Sequence, residues 1–339
     1  MLIARKGNVA YCEAFGFQDR EKRLPMTTDA IFRIASLIKP IVSAAFMTLV
    51  EEGKVRLTAP VSLYLPEFKD FKVGIEKLNS TTGKLELTLE AQVGEMTIQD
   101  LLRHTSGISH FLIGTSLVNE AYRSANIAAP NQTLAELVTR LTQLPLAFHP
   151  GTTFEYGLST DVLGRVAEVV SGMSLDEFVA ERVTKPLGMS DTAFYITGTQ
   201  AARLAEPQVD AATGSRPPMR DVINRPKWMS GGAGMVSTVS DYARFCQMFL
   251  NGGQLDGVRL LSPKTVAHMT ANHLPPGVAM SPTVLSLLGP LIPDAAHGQG
   301  FGLGFAVRTE AGPVRPGNII GLEQAAPSSG SIRWRVLLQ

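Results

Sequence analysis

Apolar residues along this chain follow two spacings, and the change from one to the other marks its elements. Residues 1–4 and 8–15 read as short strands around Arg5-Lys6-Gly7, a turn-forming tripeptide, so a hairpin is predicted at the N-terminus. From 36 to 52 the spacing becomes helical. Ile38, Val42, Ala45, Phe46 and Leu49 fall on one face, Pro40 sits in the first turn where N–H groups lack partners, and Gly53 stops the helix. Residues 54–95, with Pro60, Pro66 and a polar stretch at 77–84, read as irregular. A short helix opens at Thr97, a natural N-cap, with Asp100 near the positive end of the dipole. Amphipathic helices follow at 133–144, 160–171 and 175–184, the last ended by Pro186 and Gly188. Another spans 240–250 before Gly252 and Gly253, and Ser262 caps one more with Pro263 in its first position. Residues 302–307 read as a strand.

Helices therefore dominate the middle and strands lie near both ends. The expected architecture is α/β: one unit over 1–339, with a sheet part from 1–55 and about 225–339 and a mainly helical part over about 56–224. No internal repeat or low-complexity tract interrupts it.

Composition narrows the function classes. The 339 residues are 45% hydrophobic and 18% charged, with 31 Gly and 21 Pro, values of a globular chain. Net charge is +1, so no basic excess points to nucleic acid. Cys12 and Cys246 are too few for a disulfide framework, and the six histidines form no H-x-x-x-H pair, so no catalytic zinc site is expected. No apolar run reaches the roughly 18–20 residues that span a bilayer. The opening Met-Leu-Ile-Ala-Arg-Lys-Gly-Asn lacks a signal-peptide core, so a cytoplasmic chain is expected, with a true start that could lie upstream.

The sharpest chemical signal is Ser36-Leu37-Ile38-Lys39. A serine hydroxyl is a poor nucleophile near neutral pH unless a neighbour takes its proton. Residues i and i+3 share a helix face, so the Lys39 amine can lie beside Ser36 Oγ. A serine at a helix N-terminus also sits in a positive potential. The tetrapeptide alone is weak evidence, because Ser-x-x-Lys arises by chance about once in a chain of this length.

Context strengthens it. Ile31-Phe32-Arg33-Ile34-Ala35-Ser36-Leu37-Ile38-Lys39-Pro40 resembles the nucleophile segment of the β-lactamase-like serine hydrolases, the group of class C β-lactamases, DD-peptidases and family VIII carboxylesterases. Four further segments resemble the same family in order and spacing: 15–21, Leu-Leu-Arg-His-Thr-Ser-Gly-Ile at 101–108, Pro-Leu-Gly-Met-Ser-Asp-Thr at 186–192, and the glycine-rich 231–238. Together they cover roughly 1–315. The resemblance implies a β-lactamase/DD-peptidase fold, with an antiparallel sheet flanked by helices beside a mainly helical part. It also implies Tyr156, in Phe-Glu-Tyr-Gly-Leu-Ser, as partner of Lys39 in moving protons. The competing reading of Tyr156 is a core tyrosine with a bonded hydroxyl. His104 is the competing base, although the resemblance makes His-Thr-Ser-Gly structural. No G-x-S-x-G is present to support the other main serine-esterase fold.

Two departures shape the expected activity. β-Lactamases and DD-peptidases of this group show Tyr-x-Asn, whereas this chain has Leu158 at the third position, which favours esters over lactams or peptides. The third family element, Lys-Thr-Gly or Trp-x-Gly on the strand facing the nucleophile, is missing. Its expected place holds Ile319-Ile320-Gly321-Leu322-Glu323-Gln324-Ala325-Ala326-Pro327. The backbone N–H of Ser36 would be one oxyanion donor, and the second is not identifiable. Shifted by two bases under one choice of synonymous codons, 319–327 reads Tyr-Trp-Ser-Gly-Ala-Gly-Gly-Thr, which resembles that element. A frame slip near 318–320, a non-native tail over 319–339 and a lost N-terminal helix are therefore expected, and the gene sequence would decide the first.

The resemblance thus implies a serine hydrolase that cleaves short-chain carboxylic esters through a Ser36 acyl-enzyme, with Lys39 and Tyr156 as proton shuttles. Its partner would be a small-molecule ester or amide, and the mechanism it implies needs no metal or organic cofactor. The alternatives are β-lactamase or DD-peptidase activity, or an inactive module on the same scaffold.

Overall fold

The computed structural model describes residues 1–288, 298–309, 319–322 and 335–337. Nine α-helices lie among these residues: α1 (Ile38–Glu51), α2 (Ile98–Leu102), α3 (Leu117–Ser124), α4 (Leu134–Leu141), α5 (Ser159–Ser171), α6 (Leu175–Val179), α7 (Val239–Leu250), α8 (Pro263–Met269) and α9 (Pro282–Leu288). With several small sheets they make a mixed α/β protein. No helix among the described residues is long and apolar enough to cross a membrane.

The organising element is α1. Every residue from Ile38 to Leu49 is buried, because α1 is covered on all sides rather than along one stripe. It packs against α5 and α6, and α5 in turn meets α2 and α4. Leu37, Ile41, Phe46, Leu163, Val166 and Phe178 belong to this one core cluster. Three of the shorter helices begin on capping boxes, in which the cap hydroxyl accepts the third residue's N–H and that residue's side chain accepts back: Thr97 with Asp100, Ser116 with Asn119, and Thr133 with Glu136.

Most predicted helices stand within a few residues of their expected bounds. The stretch 175–184 is α6 followed by a wider π turn, Ala180–Thr184. Three expectations need correction. The region 54–95 is not irregular throughout: strands Lys72–Leu78 and Leu85–Ala91 pair antiparallel from Lys72↔Ala91 to Leu78↔Leu85, and the polar stretch is their turn. Residues 302–307 are not one strand: 302–305 form a turn that joins Gln299–Phe301 to Ala306–Arg308, so only 306 and 307 are in a strand. Its Gly304 (φ +104°) packs on α1, where a Cβ would come within 2.3 Å of Ser43 Oγ. Helices α3 and α9 were not anticipated.

The N-terminal hairpin is present, Leu2–Arg5 against Asn8–Cys12, with Lys6 and Gly7 both at positive φ in its turn. Among the described residues it is a sheet of its own. Near the other end, Gln299–Phe301, Ala306–Arg308, Ile319–Leu322 and Arg335–Leu337 form a four-stranded antiparallel sheet in that order. The backbone of Ile319–Leu322 approaches the turn that precedes α1. A third, short pairing joins Phe32–Arg33 to Val236–Ser237 and carries the start of α1 to the glycine-rich segment.

Candidate active site

The turn bearing Ser36 is fixed from both sides. The Phe32–Arg33 pairing is extended by the Ile34 N–H, which donates to the Met235 carbonyl at 3.1 Å. The chain then turns sharply, with Ala35 at φ +42°, into the 3₁₀ turn Ala35–Leu37 that leads into α1. A non-glycine residue in this region stores on the order of 1–3 kcal/mol, held here by the surrounding bonds. The Leu37 N–H donates to the Ile34 carbonyl at 2.9 Å, and the Tyr242 hydroxyl donates to the Leu37 carbonyl at 3.0 Å. Among the described residues the Ser36 N–H donates to no partner.

Lys39, on the first turn of α1, is only 6% exposed. Its Nζ donates to Ser36 Oγ at 3.0 Å and to the Gly232 carbonyl at 2.8 Å. The spacing of three thus brings the two side chains together as a helix face requires. The amine also lies 4.6 Å from the centre of the Tyr156 ring, so Tyr156 joins the pair through its ring face.

Tyr156 is buttressed by the segment that follows α2. The Glu155 N–H donates to the His104 carbonyl at 2.9 Å, and the Leu158 N–H donates to the Ser109 carbonyl at 3.3 Å. Gly157 has to be glycine, since a Cβ there would lie 2.2 Å from the Ile108 carbonyl oxygen. Side chains add two ties: the Ser109 hydroxyl donates to Glu155 Oε1 at 2.5 Å, and the Ser106 and Ser159 hydroxyls pair at 2.8 Å. Burial raises the Glu155 carboxyl above its ordinary range. The His104 ring packs 4.7 Å from the Tyr156 ring and contacts Phe154 and Phe301 as well. Burial, and then the charge on Lys39, hold its imidazole well below the ordinary histidine range. His104 is therefore a neutral ring against Tyr156 and makes no hydrogen bond to Ser36. Leu158 is buried in the main core and offers no polar group to the site.

Sequence reasoning missed Asp161. This carboxylate lies on the first turn of α5, is 1% exposed, and accepts from the Trp228 indole N–H at 3.1 Å. Its nearest segment is the glycine-rich one. Cβ atoms on Gly231 and Gly232 would lie 2.5 Å from the Thr160 carbonyl oxygen and 2.6 Å from Asp161 Oδ2. The signal was available: Asp161 sits three residues after Leu158 and just before Val162, on the buried side of an amphipathic helix.

The strand facing the Ser36 turn is Ile319–Leu322, the place where the resemblance puts the third element. Residues 323–334, which hold most of the proposed out-of-frame reading, lie outside the described residues, and no second oxyanion donor is assigned.

This geometry agrees with the comparisons. The Beta-lactamase family profile matches residues 1–326. Protein Rv1367c of Mycobacterium tuberculosis is 35% identical over 326 residues, covering 93% of this chain and 76% of that protein. Esterase EstB of Burkholderia gladioli is 35% identical over 268 residues, 72% of this chain and 63% of its own length. Among solved structures, "EstCE1, a hydrolase with promiscuous acyltransferase activity" superposes with a TM-score of 0.73 at 28% identity, covering 94% of this chain and 81% of that one. The chain belongs to the β-lactamase family of serine hydrolases and has its fold, with an esterase and an acyl-transferring hydrolase among its relatives.

Proposed function

We propose that this chain hydrolyses carboxylic esters of small molecules through an acyl-enzyme on Ser36. The observation that carries the reading is the 3.0 Å bond between Lys39 Nζ and Ser36 Oγ in a site where the amine is almost out of water. Ser36 Oγ attacks the ester carbonyl carbon, and its proton passes to the Lys39–Tyr156 pair. The C–O bond to the alcohol then breaks, and the same pair protonates the departing oxygen. Water attacks the acyl-serine next. The carboxylic acid leaves and the proton returns to Ser36 Oγ. The negative oxygen formed in each half is met by the Ser36 N–H, which has no other partner among the described residues.

Esters are favoured over lactams because the position of the family's asparagine holds Leu158, turned into the core. The names of EstB and EstCE1 point the same way. The test is turnover of p-nitrophenyl butyrate and of nitrocefin by the chain and by Ser36→Ala. Butyrate turnover that the substitution abolishes, with nitrocefin turnover far lower, is the expected result. A folded chain that fails to turn over the butyrate, or whose rate is the same in Ser36→Ala, would refute the reading.

A further inference from the structure

A buried carboxylate is costly unless it is bonded and faced by positive charge, so its surroundings indicate what it holds. Asp161 makes its bonds to the segment that positions Lys39. The Ser230 side chain helps hold the Asp161 carboxylate in its charged form, and Ser230 Oγ accepts the N–H groups of Gly232 at 3.3 Å and Ala233 at 3.2 Å. The Gly232 carbonyl in turn takes the Lys39 amine at 2.8 Å. The chain of contacts therefore runs from Asp161 through Ser230 to Gly232, then to Lys39 and Ser36. The packing is close: the point a Gly232 Cβ would occupy is 2.6 Å from Asp161 Oδ2 and 3.7 Å from Lys39 Nζ.

We propose that Asp161 is a positioning residue, which fixes the Gly232 carbonyl on the Lys39 amine and sets the charge beside it. The inference rests on Lys39 being the proton partner of Ser36. The groups that face this pair come from several elements. Arg220, whose guanidinium lies 4.8 Å over the Trp228 ring and donates to the Trp228 carbonyl at 3.0 Å, supplies the second cation near Asp161. Tyr156 lies under the amine, and His104 and His110 are held neutral by burial, His110 at about 3. Burial pushes the Asp161 carboxyl up, while the Ser230 bond and the charges of Lys39 and Arg220 oppose this. An anion beside an ammonium keeps the proton on it, so loss of that anion lets the proton leave at lower pH.

Asp161→Asn keeps the shape and the Trp228 bond but removes the charge. Its expected effects are a fall of about tenfold or more in kcat/KM for p-nitrophenyl butyrate and a move of the lysine-governed limb of the pH profile to lower pH. A merely structural aspartate would lower stability and leave that limb in place. The second readout needs no activity: with lysine labelled at the ε-carbon and the Lys39 signal assigned by Lys39→Met, the Lys39 signal titrates at lower pH in Asp161→Asn. An unchanged Lys39 titration in the folded variant overturns the proposal even if Ser36 hydrolyses esters, and a lowered one upholds it even if the chain hydrolyses none. If Asp161→Asn does not fold, Ser230→Ala cuts the same chain one step later. A smaller shift in the same direction is expected there, and no shift overturns the proposal.

Discussion

Glycines in two regions of this molecule are required for opposite reasons. Around Ser36 and Lys39, a Cβ on Gly157, Gly231 or Gly232 would run into backbone oxygens or the Asp161 carboxylate at 2.2–2.6 Å, although none of these glycines has positive φ. In the first 25 residues the reverse holds. Gly7 and Gly16 both have φ +78°, and beyond the tip of the Gln247 side chain at 3.9 Å from Gly7 nothing lies within 4 Å of their Cβ positions. One region needs glycine for close approach between segments distant in sequence, the other only for the shape of a turn. The site is thus built by packing, while the N-terminal hairpin, with Ile3 and Val9 exposed, is held mainly by its own ladder.

Substitutions can break or sharpen this contrast. The largest expected effect is Lys39→Met, a loss of about 10²–10⁴ in ester turnover while the chain stays folded, read by p-nitrophenyl butyrate assay with circular dichroism. Gly157→Ala comes next. It sets a methyl against two carbonyl oxygens that cannot swing away, so a loss of about 3 kcal/mol or more in denaturant unfolding is expected. Gly232→Ala meets a side-chain oxygen instead and should cost about 1–3 kcal/mol, with a disproportionate loss of activity because the Gly232 carbonyl holds Lys39.

The histidines beside Tyr156 and Ser109, buried His104 and half-buried His110, give a pH test of the same region. The unfolded chain takes up protons at His104 and His110 below about 6.5, whereas the folded chain holds both imidazoles neutral to much lower pH. Their depressed values therefore add stability above pH about 6.5 that is lost as pH falls. The expected slope approaches about 1.4 kcal/mol per pH unit for each once the pH is about one unit below that value. His104→Gln should flatten the stability curve between pH 6.5 and 5, and an unchanged slope would contradict the assignment. Smallest is Gly7→Ala, with about 1 kcal/mol of turn strain and unchanged ester turnover. A fall in turnover there would show that the hairpin and the site are coupled.

How much of this was legible in the sequence depended on whether the signal was local. The Thr97 N-cap and the approach of Lys39 to Ser36 were legible because caps and three-residue spacing act within one turn, although Ser36 itself stands in the 3₁₀ turn just before α1. The strands Lys72–Leu78 and Leu85–Ala91 were missed. Leu85, Leu87 and Leu89 do alternate with polar residues, but Lys77 to Lys84 reads as loop and Leu78, Leu85 and Leu89 stay exposed. Asp161 was passed over because an acid in the first turn of a helix already has an ordinary explanation in the dipole. Its place on the buried side of α5 hinted at a second one, and its contact with Trp228, some seventy residues later, supplies it.

The bond from Lys39 to the Gly232 carbonyl spans 193 residues of sequence. Such a contact carries a large loop-closure cost and forms only when both stretches have found their places. A partly folded chain can have Ser36 and Lys39 on one helical turn and still lack the clamp on the amine. On the proposed reading, a covalent titrant of Ser36 therefore counts native molecules, and the burst of released alcohol on refolding would time the last long-range closure of the chain.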